Sequence, residues 1–180
     1  PQSNATSLLQ AITQAASNPA TDIEKMERLF AMHERMVKSE AETAFNAAMA
    51  RAQERMEPVI KNRRNDQTNS NYANLAAINE AIKPIYTAEG FSITFDTAES
   101  PKPEYLRVLA FIQHKAGHVK QLHIDMPPDD SGIKGTVNKT KVHATGSTSS
   151  YARRYLVCMA FNIDTVDDTA GRVSLDVVED

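Results

Sequence analysis

Residues 91–126 carry the clearest structural pattern in this chain: FSITFDTAESPKPEYLRVLAFIQHKAGHVKQLHIDM. Apolar and polar residues alternate in three segments, which is the pattern of β-strands with one buried face. The apolar positions are Phe91, Ile93 and Phe95, then Leu106, Val108, Ala110 and Ile112, then Leu122, Ile124 and Met126. The residues from His114 to His118 include a glycine and suit a hairpin turn between the last two segments. The stretch therefore predicts three strands with antiparallel pairing.

A helix is predicted directly before the first strand. Its apolar positions recur at helical spacing and are Leu75, Ile78, Ile82 and Ile85. Asn71 or Asn74 can cap its start, and Gly90 can close it. Pro84 predicts a kink or a break, because proline lacks the amide donor that a helix interior needs. The polar and basic segment 61–72, before this helix, is predicted to be a loop.

A much longer helix is predicted over residues 21–57. Thr21 and Glu24 match a capping box at its start, and Pro58 ends it. The positions that recur at spacings of three and four are Ile23, Met26, Phe30, His33, Val37, Ala41, Ala44, Ala48 and Ala52. A helix of about 35 residues is roughly 50 Å long, which exceeds the width of a small domain. Part of it is expected to project or to pack on a neighbouring subunit, although its second half can equally lie across its own domain.

A last helix is predicted to run to about Phe161, after a loop over residues 127–139. Its predicted buried face consists of Ala152, Tyr155, Leu156, Met159 and Ile163. Tyr155 is therefore expected in the core, and the lone cysteine, Cys158, is expected there because its neighbours Val157 and Met159 are apolar. Gly146 is expected at the start of this helix or at a bend within it.

The order helix, helix, three strands, helix predicts an α+β fold. We expect a three-stranded antiparallel sheet with helices packed on one face, plus the long N-terminal helix. Residues 1–20 are expected to form a flexible arm or a short docking helix. A single domain over 21–168 would hold the long helix and a helix–sheet–helix core at 71–163, and residues 169–180 would form an acidic tail.

The composition disfavours several classes of protein. A single cysteine rules out an intramolecular disulfide and favours a reducing, cytoplasmic setting. No apolar stretch approaches the roughly 20 residues of a membrane span, so no membrane partner is expected. The first nine residues lack the basic and apolar regions of a signal peptide.

Signatures of enzymes are mostly missing from the sequence. There is neither a Walker-type glycine-rich loop nor a GxGxxG motif, so ATP-driven chemistry is disfavoured and no cofactor or catalytic residue is assigned. His114 and His118 lie across a turn, which suits strand-edge histidines better than a zinc site. Asp164, Asp167 and Asp168 can hold a divalent ion in a metal-dependent nuclease, but a solvated turn is the commoner role of such a cluster, and no metal site is predicted.

Charge is distributed unevenly along the chain, although the net charge is only −3. Residues 131–163 contain no acidic side chain, whereas residues 164–180 are strongly acidic. Cations neutralise phosphates, hydroxyl and amide groups bond to phosphate oxygens, and aromatic rings stack on bases. The residues predicted to bind single-stranded nucleic acid are Lys61, Arg63, Arg64, Tyr72, Lys134, Lys139, Lys141, Ser147, Ser150, Tyr151, Arg153 and Arg154. Since the two arginines are adjacent, they point about 100° apart on a helix, and one of them is expected to serve a subunit contact or an internal carboxylate.

Two stretches of the sequence resemble a known family. Residues 146–155, GSTSSYARRY, are followed by an apolar stretch, Asn162–Ile163 and Asp167–Asp168. Upstream, residues 71–75 read NYANL, ahead of an Ile-x-Pro helix end and a glycine before the first strand. This pattern, over residues 61–168, resembles the Erf family of phage single-strand DNA annealing proteins. Of the predicted site, Tyr72, Tyr151, Arg153 and Arg154 match the family motifs.

The resemblance implies a recombination protein of the bacterial cytoplasm with a sheet-and-helix annealing core. It implies a homo-oligomer, a ring or a filament, that binds single-stranded DNA in a groove across subunits and pairs complementary strands without ATP or a cofactor. A host single-strand-binding protein or an exonuclease would be its protein partner. The alternatives that stay open are a passive single-strand or RNA-binding module, an oligomeric scaffold and, less favoured, the nuclease.

Overall fold

A computed structural model describes residues 4–18, 22–65, 69–128 and 141–166 of the chain. The elements, in chain order, are helices α1 (Asn4–Ala16) and α2 (Ile23–Glu54), strands β1 (Val59–Ile60), β2 (Arg63–Asn65) and β3 (Ser70–Tyr72), helix α3 (Leu75–Ala88), strands β4 (Phe91–Glu99), β5 (Leu106–His114) and β6 (Val119–Met126), helix α4 (Lys141–Phe161) and strand β7 (Thr165–Val166). The predicted α+β class is confirmed.

The central sheet has the strand order β4-β5-β6, and both of its pairings are antiparallel. Phe91 pairs with His114 across the first strand pair, and Leu106 pairs with Met126 across the second. Gly117, in the turn that joins β5 to β6, has a φ of 97°, a conformation that glycine adopts without strain. The three predicted strands and their hairpin are confirmed.

One face of the sheet is buried under helices. Val108, Ala110 and Ile112 point into a core that α3, α4 and the C-terminal half of α2 complete. The helical residues of this core include Phe45, Ala48, Ala52, Ile78, Ile82, Leu156, Val157 and Phe161. Each large apolar side chain buried in this way contributes about 1.5–3 kcal/mol. The opposite face carries the half-buried Leu109 and Phe111.

Helix α1 occupies most of the segment for which an arm or a short docking helix was expected. Ile12 is 1% exposed and Ala5 is 4% exposed, because α1 packs on α2. The backbone amide of Ala5 donates a hydrogen bond of 3.0 Å to the carboxylate of Glu40. Burial of these small and apolar side chains explains why a largely polar segment is held as a helix.

Helix α2 is capped differently from the prediction. Its N-cap is Asp22 rather than Thr21, and the Asp22 carboxylate accepts a hydrogen bond of 3.0 Å from the amide of Glu24. An aspartate at this position also places negative charge at the positive end of the helix dipole. Thr21 lies outside the described residues. The helix ends at Glu54, before Pro58 is reached.

Helix α3 continues through Pro84, so the sequence's alternative of a break at this residue is wrong. Pro84 lies on the exposed side of the helix, where water can bond the carbonyl that lacks an amide donor. Asn74 is the N-cap and accepts a hydrogen bond of 2.8 Å from the amide of Ala77. Gly90 follows the helix with a φ of 91°.

The prediction of a loop over residues 61–72 is wrong. β2 and β3 form an antiparallel hairpin there, and β1 pairs in parallel with β7. Asn62 extends the hairpin, since its amide donates a bond of 3.1 Å to the carbonyl of Tyr72. The prediction failed because these short polar strands carry no alternation of apolar residues, and because the partner of β1 lies about a hundred residues away.

Helix α4 buries only part of the predicted face, since Ala152 and Leu156 lie in the core but two other residues of that face do not. Tyr155 is 45% exposed and Met159 is 60% exposed, so the prediction that both lie in the core is wrong. The buried residues are Ala152, Leu156, Val157, Ala160 and Phe161. The sheet covers only that side of the helix and leaves the Tyr155 flank open. Gly146 lies within the helix rather than at its start.

Candidate nucleic-acid interface

The β2–β3 hairpin lies against the start of α3. The Asn62 carboxamide oxygen accepts a hydrogen bond of 3.0 Å from the backbone amide of Asn74, the cap of α3. At the turn, the Arg64 guanidinium donates a bond of 2.6 Å to the side chain of Asn69. Arg63 is paired directly with Tyr72 across the two strands. Residues that lie directly opposite in an antiparallel pair project from the same face, so a cation lies beside this tyrosine.

Tyr72 meets α4 in a cluster of three tyrosines around one arginine. The Arg154 guanidinium carbon lies 4.8 Å from the ring centroid of Tyr72, 5.2 Å from that of Tyr151 and 4.9 Å from that of Tyr155. One guanidinium nitrogen also donates a bond of 3.4 Å to the carbonyl of Ala73. We call Tyr72, Tyr151, Arg154 and Tyr155 the tyrosine–arginine cluster.

The cluster keeps its positive charge. The guanidinium of arginine carries a delocalised positive charge, and each cation–π contact at a partly exposed site contributes about 0.5–1 kcal/mol. In the described part of the chain, no carboxylate forms a salt bridge with Arg154. Among the described residues, the guanidinium is therefore held by aromatic rings and a backbone carbonyl rather than by a carboxylate.

Two cavities adjoin the cluster, and Tyr72 and Arg154 line both of them. One cavity has a volume of about 350 Å³ and is also lined by Asn74, Leu75, Ser147, Ser150 and Tyr151. The other has a volume of about 310 Å³ and is also lined by Asn71, Ala73, Ile78, Tyr155, Cys158, Ile163 and Thr165. Hydroxyl and amide groups thus surround the cluster on both sides. Such groups can hydrogen-bond to the phosphates and sugars of a nucleic acid.

A comparison with protein families agrees with the motifs in this region. A family model described as the ERF superfamily matches residues 45–173, which is more than half of the chain. The chain belongs to the ERF superfamily. The resemblance seen in the sequence is thereby confirmed, and the match includes the central sheet and the whole tyrosine–arginine cluster. The comparison with curated proteins finds no match, and the comparison with solved structures finds none either.

Membership of the ERF superfamily supports a phage single-strand annealing-type protein. It therefore supports DNA binding, in particular the binding of single strands, and a role in recombination. The superfamily is known for annealing rather than for hydrolysis.

The two adjacent arginines of this ERF protein point to different places. Arg154 belongs to the cluster, whereas the Arg153 guanidinium lies 4.9 Å from the ring centroid of Phe95, on the edge strand β4. Arg153 lines a separate cavity of about 540 Å³ with Ser149 and residues 93–97. Arg153 is thus separate from the predicted residues that lie together around the cluster. Those residues are Arg63, Tyr72, Ser147, Ser150, Tyr151 and Arg154.

The remaining predicted residues lie near the hairpin or outside the described part of the chain. Lys61 follows β1 and is half-buried, while Arg64 is exposed at the hairpin. Lys134 and Lys139 lie outside the described residues, and Lys141 is described only as the first residue of α4. The hydroxyl of Ser150 donates a bond of 3.0 Å to the carbonyl of Gly146, one turn earlier in α4.

Two residues of the site were not predicted from the sequence. Tyr155 was assigned to the core, and Asn74 was predicted only as a helix cap. The spacing of Tyr151 and Tyr155 on α4 is a signal that was available, because residues four apart in a helix lie on the same side. Cys158 is only half-buried, and burial raises the pKa of its thiol, so it lines the second cavity as a neutral group.

No metal centre is found among the residues that the structure describes. Asp164 accepts a hydrogen bond of 2.9 Å from the amide of Val59 through its backbone carbonyl, next to the β1–β7 pair. Asp167 and Asp168, the other carboxylates of the nuclease alternative, lie outside the described residues. Within the described ranges, no helix is both long enough and apolar enough to cross a membrane.

Proposed function

We propose that this ERF superfamily protein pairs complementary DNA strands without nucleotide hydrolysis, and that it holds one strand across the tyrosine–arginine cluster. The observation that carries the proposal is the packing of Tyr72, Tyr151 and Tyr155 around the guanidinium of Arg154. The tyrosine rings can stack on the faces of bases, and the guanidinium can bind a phosphate. Both of these parts of a single strand are present whatever its sequence.

The aromatic part of the cluster favours single strands over duplex. Base–aromatic stacking contributes about 1–3 kcal/mol per base, and it requires a base face that duplex DNA does not expose. Tyr155 offers the most accessible ring, since it is 45% exposed. Stacking does not depend on base identity, so a protein that must accept any sequence can use it.

The charged part of the surface fits the sugar–phosphate chain. Arg63 stands beside Tyr72, and the exposed Arg64 follows it on the same strand. Ser147, Ser150 and Asn74 line the cavity on the other side of Tyr72. A strand that follows these groups is held by its backbone, and its base edges remain free to test a second strand.

The pairing reaction needs no energy from nucleotide hydrolysis. Duplex formation releases about 1.4 kcal/mol per base-pair step, which is enough to draw a matched strand off the protein once pairing begins. The protein therefore only has to raise the local concentration of strands and keep them extended. Several copies joined together do this better than one, because linked sites multiply affinity.

Strand pairing can be followed with two complementary oligonucleotides that carry a donor and an acceptor dye. In EDTA and without nucleotide, the protein is expected to accelerate the appearance of energy transfer over the spontaneous rate. Binding without acceleration would instead identify a passive single-strand binder. Loss of labelled DNA that requires Mg²⁺ would identify a nuclease.

A further inference from the structure

The core-facing side of α2 continues beyond the core. In the C-terminal half of the helix, Ala41, Phe45, Ala48 and Ala52 are buried. The same side continues towards the N-terminus as Val37, Phe30 and Ile23, which are 45%, 49% and 77% exposed. The helix therefore carries exposed apolar side chains beyond the part of it that is buried in the core.

Helix α1 covers only one side of this projecting region. We call α1 together with residues 23–40 of α2 the arm. The half-buried residues of α2 within the arm recur at helical spacing and are Met26, Leu29, His33, Met36 and Glu40. Glu40 bonds to the backbone of α1, which locates α1 on that side. Among the described residues, the sides of α2 that face away from α1 are exposed in this region.

The uncovered part of the arm has two faces of opposite charge. Successive residues of a helix are about 100° apart, which places the two faces on roughly opposite sides of α2. The acidic face consists of Ile23, Glu27, Phe30, Glu34 and Val37, with Lys38 at its border. The basic face consists of Lys25, Arg28, Met32 and Arg35, with Glu24 at its border in an ion pair with Arg28.

Each face combines an apolar centre with its charges. A cavity of about 560 Å³ lies on the basic face, lined by Lys25, Arg28, Leu29, Ala31, Met32 and Arg35. Met32 is 47% exposed there. The acidic face ends in a cavity of about 540 Å³ between α2 and the β5–β6 turn, where Glu34, Val37 and Val119 are among the lining residues.

We propose that the acidic face of one copy's arm packs on the basic face of the arm of a second copy. The two faces are complementary in charge, and both offer exposed apolar side chains for the centre of an interface. Because the two faces differ, the contact is head-to-tail and each copy can bind one neighbour on either side, which generates a ring or a filament. This inference rests on the proposed function, for which linked copies supply the continuous track.

Charge reversal on each face tests the contact. We expect Glu27→Lys with Glu34→Lys, and separately Lys25→Glu with Arg35→Glu, to reduce the assembly to the single-copy mass of 19.9 kDa in light scattering. An equimolar mixture of the two variants is expected to regain the mass of the wild-type assembly, because each reversed face then meets an opposite charge. The Glu24–Arg28 pair is left intact in both variants.

Matched controls carry the same changes of charge elsewhere. Glu80→Lys with Glu99→Lys, and Lys83→Glu with Lys102→Glu, alter residues outside the arm and are expected to leave the assembly unchanged. The inference is overturned if either arm variant assembles like the wild type, or if the mixture stays at the single-copy mass. Strand pairing by the wild type, measured in the same samples, decides the proposed function separately.

Discussion

Arg154 is the residue on which the candidate interface depends most, because its guanidinium contacts three tyrosine rings. Arg154→Lys keeps the charge but removes the planar group that lies over these rings. We expect the free energy of unfolding, measured with urea, to fall by about 1 kcal/mol. We also expect the affinity for single strands to fall about fivefold while its salt dependence stays the same, since the number of charges is unchanged.

Arg153→Lys is the matched control for this change. Arg153 contacts a single ring, Phe95, on the other side of α4. Its replacement is expected to change single-strand affinity less than twofold. An equal loss of affinity in the two variants would show that position 154 has no special part in binding.

Asp125 provides a prediction that depends on pH. Arg107 donates two hydrogen bonds of 2.8 Å to this carboxylate, and they lower its pKa from 3.8 to about 2. A carboxyl whose pKa is lower in the folded chain stabilises the fold above its unfolded pKa and loses that contribution as the pH falls through the folded pKa. Asp125→Asn should therefore lower the melting temperature at pH 7, and this difference should shrink as the pH falls from about 4 towards 2. A difference that stays constant over this range would contradict the assignment.

At the scale of elements, the β2–β3 hairpin is expected to hold phosphates. Replacing Lys61, Arg63 and Arg64 together by alanine should weaken single-strand binding and flatten its salt dependence. The slope of log affinity against log salt concentration should decrease by about 0.7 for each phosphate that the variant no longer neutralises. A control with the same change of charge replaces Lys83, Lys102 and Lys120, which are exposed elsewhere. Equal slopes in the wild type and the hairpin variant would show that the hairpin does not contact phosphates.

The elements that could be predicted from the sequence are those that bury one face. β4, β5 and β6 alternate because helices cover only one side of the sheet, and α3 shows helical spacing for the same reason. The hairpin and the β1–β7 pair could not be predicted in this way. Their strands are only two or three residues long and are held by hydrogen bonds between backbones. Such short strands show little alternation of apolar and polar side chains in the sequence.

The candidate site was predictable in composition but not in arrangement. Basic, hydroxyl and aromatic residues marked both Arg63–Tyr72 and Ser147–Arg154 as candidates. The contact between Tyr72 and Arg154 joins residues that are far apart in the chain. The spacing of apolar residues along a sequence predicts helices and strands, but it does not predict such contacts between them. Tyr155 was misassigned because helical spacing groups it with Ala152, three residues earlier, whereas Ala152 is buried and Tyr155 is 45% exposed.

At the scale of the whole molecule, the proposed contact between copies predicts that the affinity for single-stranded DNA depends on the length of the strand. An oligonucleotide that reaches one copy should bind weakly, and affinity should rise steeply once a strand reaches two or more copies. The Glu27→Lys, Glu34→Lys variant should bind short strands as the wild type does but lose this rise. Fluorescence anisotropy over a series of lengths measures both effects, and a rise that persists in the variant would mean that the arm does not link the sites.

The central claim is that a single strand lies over the tyrosine–arginine cluster, and photocrosslinking tests it most directly. The protein is irradiated with a single strand that contains 5-iodouracil, and the crosslinked peptides are identified by mass spectrometry. We predict that the crosslinks map to Tyr72, Tyr151 or Tyr155, and that they disappear in competition with an unlabelled single strand but not with duplex. Crosslinks confined to Phe95 on β4, or to Phe111 on the opposite face of the sheet, would contradict the claim.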